Sequence, residues 1–129
     1  MALTVPNDGE FEFLTRMMRF EGSKLKLYTS NTTWSETSTV ASCTECTTGG
    51  YAQKTLTTAW TVTTPGGGTS YATFAQQTYT FTSACTAYGY LVTNSAASVL
   101  LFAEAFTDGP YIIPSGGGTI LVTPNIEAI

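Results

Sequence analysis

The chain has 129 residues and a mass of 13.7 kDa, which suits one domain spanning 1–129 with its own core and is too little for two ordinary ones. Charged residues make up 11% of it, against roughly 25% in a typical soluble domain, so its surface is polar but nearly uncharged. With Lys+Arg 5 against Asp+Glu 9 and a net charge of −4, it lacks the basic patch that neutralising phosphates requires, which argues against nucleic acid as a partner.

In chain order, the opening Met1-Ala2-Leu3-Thr4-Val5-Pro6 has no basic segment leading into an apolar stretch, so a cytoplasm is the expected site of synthesis. One helix is predicted from Asn7 to Phe20, ending near Glu21-Gly22. Asn7 caps it, Glu10 follows as a capping-box partner, and Asp8, Glu10 and Glu12 place negative charge at the positive end of the dipole. Phe11, Leu14 and Met18, with Phe13, Met17 and Phe20, recur at helical spacing, so this apolar face is expected in the core with Arg16 and Arg19 outside.

After Gly22 the period changes to two. Leu25, Leu27 and Thr29 alternate with Lys24, Lys26 and Tyr28, the pattern of a strand with one wet face. Asn31 to Gly50 is dominated by Thr, Ser and Cys without a period and is expected as a long surface loop, or as a loop with one edge strand. Strands are predicted in Tyr51 to Thr63, Tyr71 to Thr82, Ala87 to Thr93, Ser98 to Phe106, Pro110 to Ile113 and Thr119 to Thr123, each rich in Thr, Val, Tyr or Phe. Turn residues at Pro65-Gly66-Gly67-Gly68, Thr93-Asn94-Ser95, Asp108-Gly109-Pro110 and Pro114-Ser115-Gly116-Gly117-Gly118 separate them. Seven or eight strands in this order define an all-β fold, an antiparallel β-sandwich or jelly roll with one short N-terminal helix. Ala96 to Phe106, the longest apolar stretch, is interrupted by Ser98 and Glu104 and falls short of the roughly 20 residues a membrane-spanning helix needs, so no membrane partner is expected.

The sequence offers little for catalysis. It contains no His, which removes the usual general base and the Ser-His and Cys-His pairs, and its acidic residues sit at a helix start or beside turns. Cys43-Thr44-Glu45-Cys46 has the spacing of a zinc knuckle or a redox pair. With Cys85 it supplies three thiols, one ligand short of a structural zinc site, and a βαβ context is absent. Free buried thiols are expected, a disulfide within this loop or between the loop and Cys85 being the alternatives. Neither triple-glycine run precedes Lys-Ser or Lys-Thr, so both read as turns rather than phosphate loops. No catalytic residue, metal or cofactor is expected.

Several short motifs occur in an order that resembles a family of small virion proteins of tailed bacteriophages. They are Val5-Pro6-Asn7-Asp8-Gly9-Glu10, Leu25-Lys26-Leu27-Tyr28-Thr29-Ser30-Asn31, Gly50-Tyr51-Ala52-Gln53-Lys54-Thr55-Leu56 before Trp60, and Ala75-Gln76-Gln77-Thr78-Tyr79-Thr80-Phe81 before Tyr88-Gly89-Tyr90. Leu100-Leu101-Phe102-Ala103-Glu104-Ala105-Phe106 then leads through Gly109-Pro110 to Ile120-Leu121-Val122-Thr123-Pro124. The resemblance implies a jelly-roll cement or decoration protein that sits as a homo-oligomer, a trimer, on the outer surface of an icosahedral capsid and binds the major capsid protein. The Cys43 to Cys46 loop departs from what such proteins require.

On this expectation the helix and its flank to Lys26, with eight of the fourteen charges, supply a polar contact through Glu10, Arg16 and Arg19. The uncharged strands between Thr55 and Ala103 supply subunit contacts, with Tyr71, Phe74 and Tyr79 as aromatic anchors. The rival expectation is a tail or fibre-tip module that binds cell-surface carbohydrate by stacking on Trp34 and Tyr51.

Overall fold

The computed structural model describes residues 6–17, 22–57, 59–65 and 69–127. Helix α1 (Asn7–Met17) precedes eleven strands: β1 (Ser23–Tyr28), β2 (Lys54–Leu56), β3 (Thr61–Thr63), β4 (Tyr71–Thr73), β5 (Gln77–Phe81), β6 (Cys85–Ala87), β7 (Gly89–Thr93), β8 (Leu100–Ala105), β9 (Tyr111–Ile113), β10 (Gly118–Val122) and β11 (Asn125–Glu127). All pairings are antiparallel: a four-stranded sheet β2-β1-β7-β8, a three-stranded sheet β11-β4-β3 and the pairs β10-β5 and β6-β9. This is the all-β sandwich with one short N-terminal helix that the alternating pattern predicts.

The sheets meet in one apolar core. Leu25, Leu27, Leu56 and Val92 from the large sheet pack with Tyr79, Phe81, Ile120 and Val122 of β5 and β10 and with Cys85, Ala87 and Ile113 of β6 and β9. Burying a leucine contributes about 2 kcal/mol. The solvent-exposed Glu12–Arg16 pair on α1, 3.7 Å apart, contributes under about 1 kcal/mol, so the core and not the charge pattern holds the fold.

Among the described residues eleven strands replace the expected seven or eight, because two predicted runs each cross from one sheet to the next and β6 and β11 add short strands of their own. Tyr51 to Thr63 divides into β2 and β3, and Tyr71 to Thr82 into β4 and β5. At the second division the ladder running from Gly118↔Phe81 to Val122↔Gln77 resumes at Asn125↔Thr73. Phe74, Ala75 and Gln76 thus face only Thr123 and Pro124, a bulge that bends the strand. Pro124 has no N–H for the ladder, and its carbonyl accepts from the Phe74 N–H at 3.1 Å.

Two further expectations are corrected. On α1, Leu14 is buried, but Phe11 and Phe13 are exposed, so the apolar helical face only partly reaches the core. The face of β1 expected to be wet is covered: Tyr28 is fully buried and Lys26 is 7% exposed, beneath the 31–50 segment.

Candidate functional site

The 31–50 segment is a cover rather than a free loop. It extends the edge of β1 beyond β2: the Cys46 N–H donates to the Leu27 carbonyl at 2.9 Å and the Thr29 N–H to the Thr44 carbonyl at 2.8 Å, around an antiparallel bridge between Tyr28 and Glu45. Between β2 and this bridge the ladder is completed by phenols. Tyr79 Oη donates to the Leu25 carbonyl at 2.8 Å, and the Leu27 N–H donates to Tyr51 Oη at 3.2 Å. Tyr51 Oη in turn donates to the Glu45 carboxylate at 2.9 Å, and that carboxylate holds Lys26 Nζ at 3.1 Å.

At the other end of the cover, Trp34 Nε1 donates to Tyr28 Oη at 3.0 Å, with the two rings edge to face at 5.2 Å. Gly89 lies under the Tyr28 ring. A Cβ there would overlap Tyr28 Oη and the Glu104 carbonyl.

These contacts decide the fate of several candidate residues. Tyr79 is 1% exposed and belongs to the core, so it is not a subunit anchor: its ring packs flat against that of Tyr51 at 5.7 Å. Tyr51 is half-buried, and its hydroxyl is committed to Leu27 and Glu45, so it offers no sugar-stacking face. Phe74 is half-buried against Trp60, with ring centroids 5.4 Å apart, and Tyr71 is half-buried on β4. Trp34 is half-buried with its N–H engaged, and it lines a cleft of about 450 Å³ with Leu100, Leu101, Phe102 and Ser38. Arg16 is exposed and pairs with Glu12. Glu10 lies in the first turn of α1, and Arg19 falls outside the described residues. The structure therefore takes Tyr79 into the core and sets α1 against β3 and β4, the strand that carries Tyr71.

A different surface emerges on β9 and β10. Ile112 is 73% exposed, Leu121 53% and Tyr111 37%. With Pro110, Ile113, Thr119 and Ile120 they line a groove of about 470 Å³ without a charged residue. On β8, Val99 at the strand's entrance and Leu101 are exposed as well. The signal was present in Tyr111-Ile112-Ile113 and Ile120-Leu121-Val122: an apolar run without alternation places apolar side chains on both faces of a strand, and only one face can point into this core.

Electrostatics set the groups of the cover and core against proton exchange near neutral pH. Burial pushes the phenols of Tyr51 and Tyr79 well above their usual range, the Glu45 charge adding to both and the Leu27 N–H working the other way on Tyr51. Burial, then the hydrogen bond to Glu104, does the same to Tyr90. Burial also raises Tyr28 and Cys43 and pushes the Cys85 thiol up to about 11. Among the described residues no group of three or more His, Cys, Asp or Glu side chains is placed to hold a metal ion, and no helix is long and apolar enough to cross a membrane. In comparisons with known proteins, no family model, no curated protein and no solved structure matches the chain.

Proposed function

We propose that this chain is a non-enzymatic virion structural protein, a cement or decoration protein that binds the outer surface of an icosahedral phage capsid as a homo-oligomer, a trimer, and cross-links its major capsid subunits. The observation that carries the reading is the uncharged groove of Tyr111, Ile112 and Leu121. Such a surface loses little hydration on contact and gains from burial of its apolar side chains. Many weak footprints, each modest, add through multivalency when an oligomer touches several capsomers. The order of motifs along the chain supports the same reading. The test is the copy number of the chain relative to the major capsid protein, by quantitative mass spectrometry of purified particles. A ratio near one to one is expected; a few copies per particle, or none, would sink the proposal.

The second reading, a host-recognition module for cell-surface sugar, now rests on Trp34 alone. The indole edges a cleft that also carries Ser35, Glu36 and Ser38, an aromatic wall beside hydrogen-bonding groups. Glycan-array binding abolished by Trp34→Ala would favour it over the capsid reading.

A further inference from the structure

Cys46 and Cys85 lie 39 positions apart in sequence, yet their Sγ atoms are 3.2 Å apart. Both are buried free thiols. Cys46 belongs to the cover, where its N–H is fixed on the Leu27 carbonyl, and Cys85 opens β6, where it pairs with Ile113. Thr48 Oγ1 is 3.2 Å from Cys46 Sγ. A disulfide needs a sulfur separation of about 2.05 Å, so a small side-chain movement brings the pair to bonding distance. Cys43, three residues before Cys46, is half-buried and directs its thiol to the Val40 carbonyl at 3.7 Å, so the Cys-x-x-Cys spacing in the sequence is not the spatial pair.

We propose that Cys46 and Cys85 form a redox modification site, closing under peroxide to an intramolecular disulfide that fastens the 31–50 cover to the core. One thiol, as its thiolate, attacks a peroxide oxygen, breaks the O–O bond and becomes a sulfenic acid, releasing hydroxide that takes up a proton to become water. The second thiol, on losing its proton, attacks that sulfur and expels the sulfenic oxygen as water. Two thiols and one hydrogen peroxide thus give one disulfide and two waters: the sulfurs lose two electrons and the peroxide gains them. Burial that holds Cys85 protonated makes the step slow in the closed fold, so peroxide is admitted when the cover opens locally. The bond then closes a long loop and removes the open state from the accessible ensemble. This inference is independent of the capsid reading, because it concerns only how the chain holds itself.

The test treats the purified full chain with hydrogen peroxide, alkylates it after unfolding, and maps non-reduced proteolytic peptides by mass spectrometry. The expected product is a single chain, not covalently joined to another, lighter by two hydrogens and cross-linked Cys46 to Cys85, with Cys43 alkylated. Its melting temperature is shifted upward by several degrees, and dithiothreitol reverses both changes. The Cys43→Ser variant, which leaves the buried pair untouched, is expected to give the same cross-link. Alkylation of both Cys46 and Cys85 after peroxide, or a cross-link that involves Cys43 or a second chain, would overturn the proposal.

Discussion

The Tyr79 hydroxyl donates to the Leu25 carbonyl at 2.8 Å, across 54 positions of sequence. It fills a break in the edge of β1, where pairing with β2 stops at Leu25↔Lys54 and the bridge to the cover begins only at Leu27 and Tyr28. Tyr79→Phe keeps the ring and its packing on Tyr51 but leaves a buried carbonyl without this donor. The expected loss is about 1–2 kcal/mol, read as a lower urea midpoint with an unchanged slope.

Lys26 is nearly buried, and the Glu45 carboxylate is its counter-charge at 3.1 Å. Glu45→Gln should therefore cost about 1.5–3 kcal/mol, more than an exposed pair contributes. Adding Lys26→Met to Glu45→Gln removes the stranded ammonium and should recover part of the loss. A double-mutant cycle in urea checks this; additive losses would mean the two charges do not act on each other.

Gly89 and Gly116 offer a contrast within one molecule. A Cβ at Gly89 collides with the Tyr28 hydroxyl and the Glu104 carbonyl, whereas a Cβ at Gly116 meets nothing within 4 Å. Gly89→Ala should lower stability by about 3 kcal/mol and free the Trp34 indole, visible as a change in fluorescence. Gly116→Ala should stay within about 0.5 kcal/mol of the parent.

Stability should fall at alkaline pH. In the folded chain Cys85 holds its proton up to about 11, above the ordinary thiol value of 9.0. Between those values the unfolded state carries fewer protons, so raising the pH favours unfolding. Tyr51, Tyr79 and Tyr90, raised from 10.0, act with the same sign above pH 10. Under reducing conditions the melting temperature should be flat up to about pH 9 and then decline. Each group forced to ionise steepens the fall by up to about 1.4 kcal/mol per pH unit. Cys85→Ala should make the decline between about pH 9 and 10 shallower, leaving the part that Cys43 contributes there; a melting temperature that climbs with pH would contradict the assignment.

Ile112→Asp and Leu121→Asp place charge on the exposed groove of β9 and β10. Folding stability should change by no more than about 0.5 kcal/mol, because neither side chain is packed. Sedimentation velocity should show the oligomer dissociating or its binding to capsid lost; unchanged association would move the interface elsewhere, first to Phe11 and Phe13 on α1.

The architecture was legible where one period governed one environment. Leu25 and Leu27 point to the core as their alternation requires, and the helix opens at Asn7, where the sequence places its start. Sequence reasoning failed where a residue's partner is remote. Nothing near Tyr79 or Tyr51 in sequence announces that their hydroxyls complete the β1 edge, and nothing in the aperiodic 31–50 segment announces that it buries Lys26 and Tyr28. Residue type tells how much area an aromatic side chain such as Tyr79 has to bury but not whether its own fold has already used it. The groove of Ile112 and Leu121 was legible in principle, since apolar residues at adjacent strand positions must face opposite ways.

The large sheet is covered differently on its two sides: against one lies the apolar core with Tyr79 and Phe81, and against the other the Lys26–Glu45 ion pair and a threonine- and serine-rich segment. Exposing apolar surface raises the heat capacity, while exposing polar surface lowers it. Detachment of the cover would therefore leave a smaller calorimetric trace than opening of the core, with amide hydrogens of Thr29 and Cys46 exchanging well ahead of those in β7.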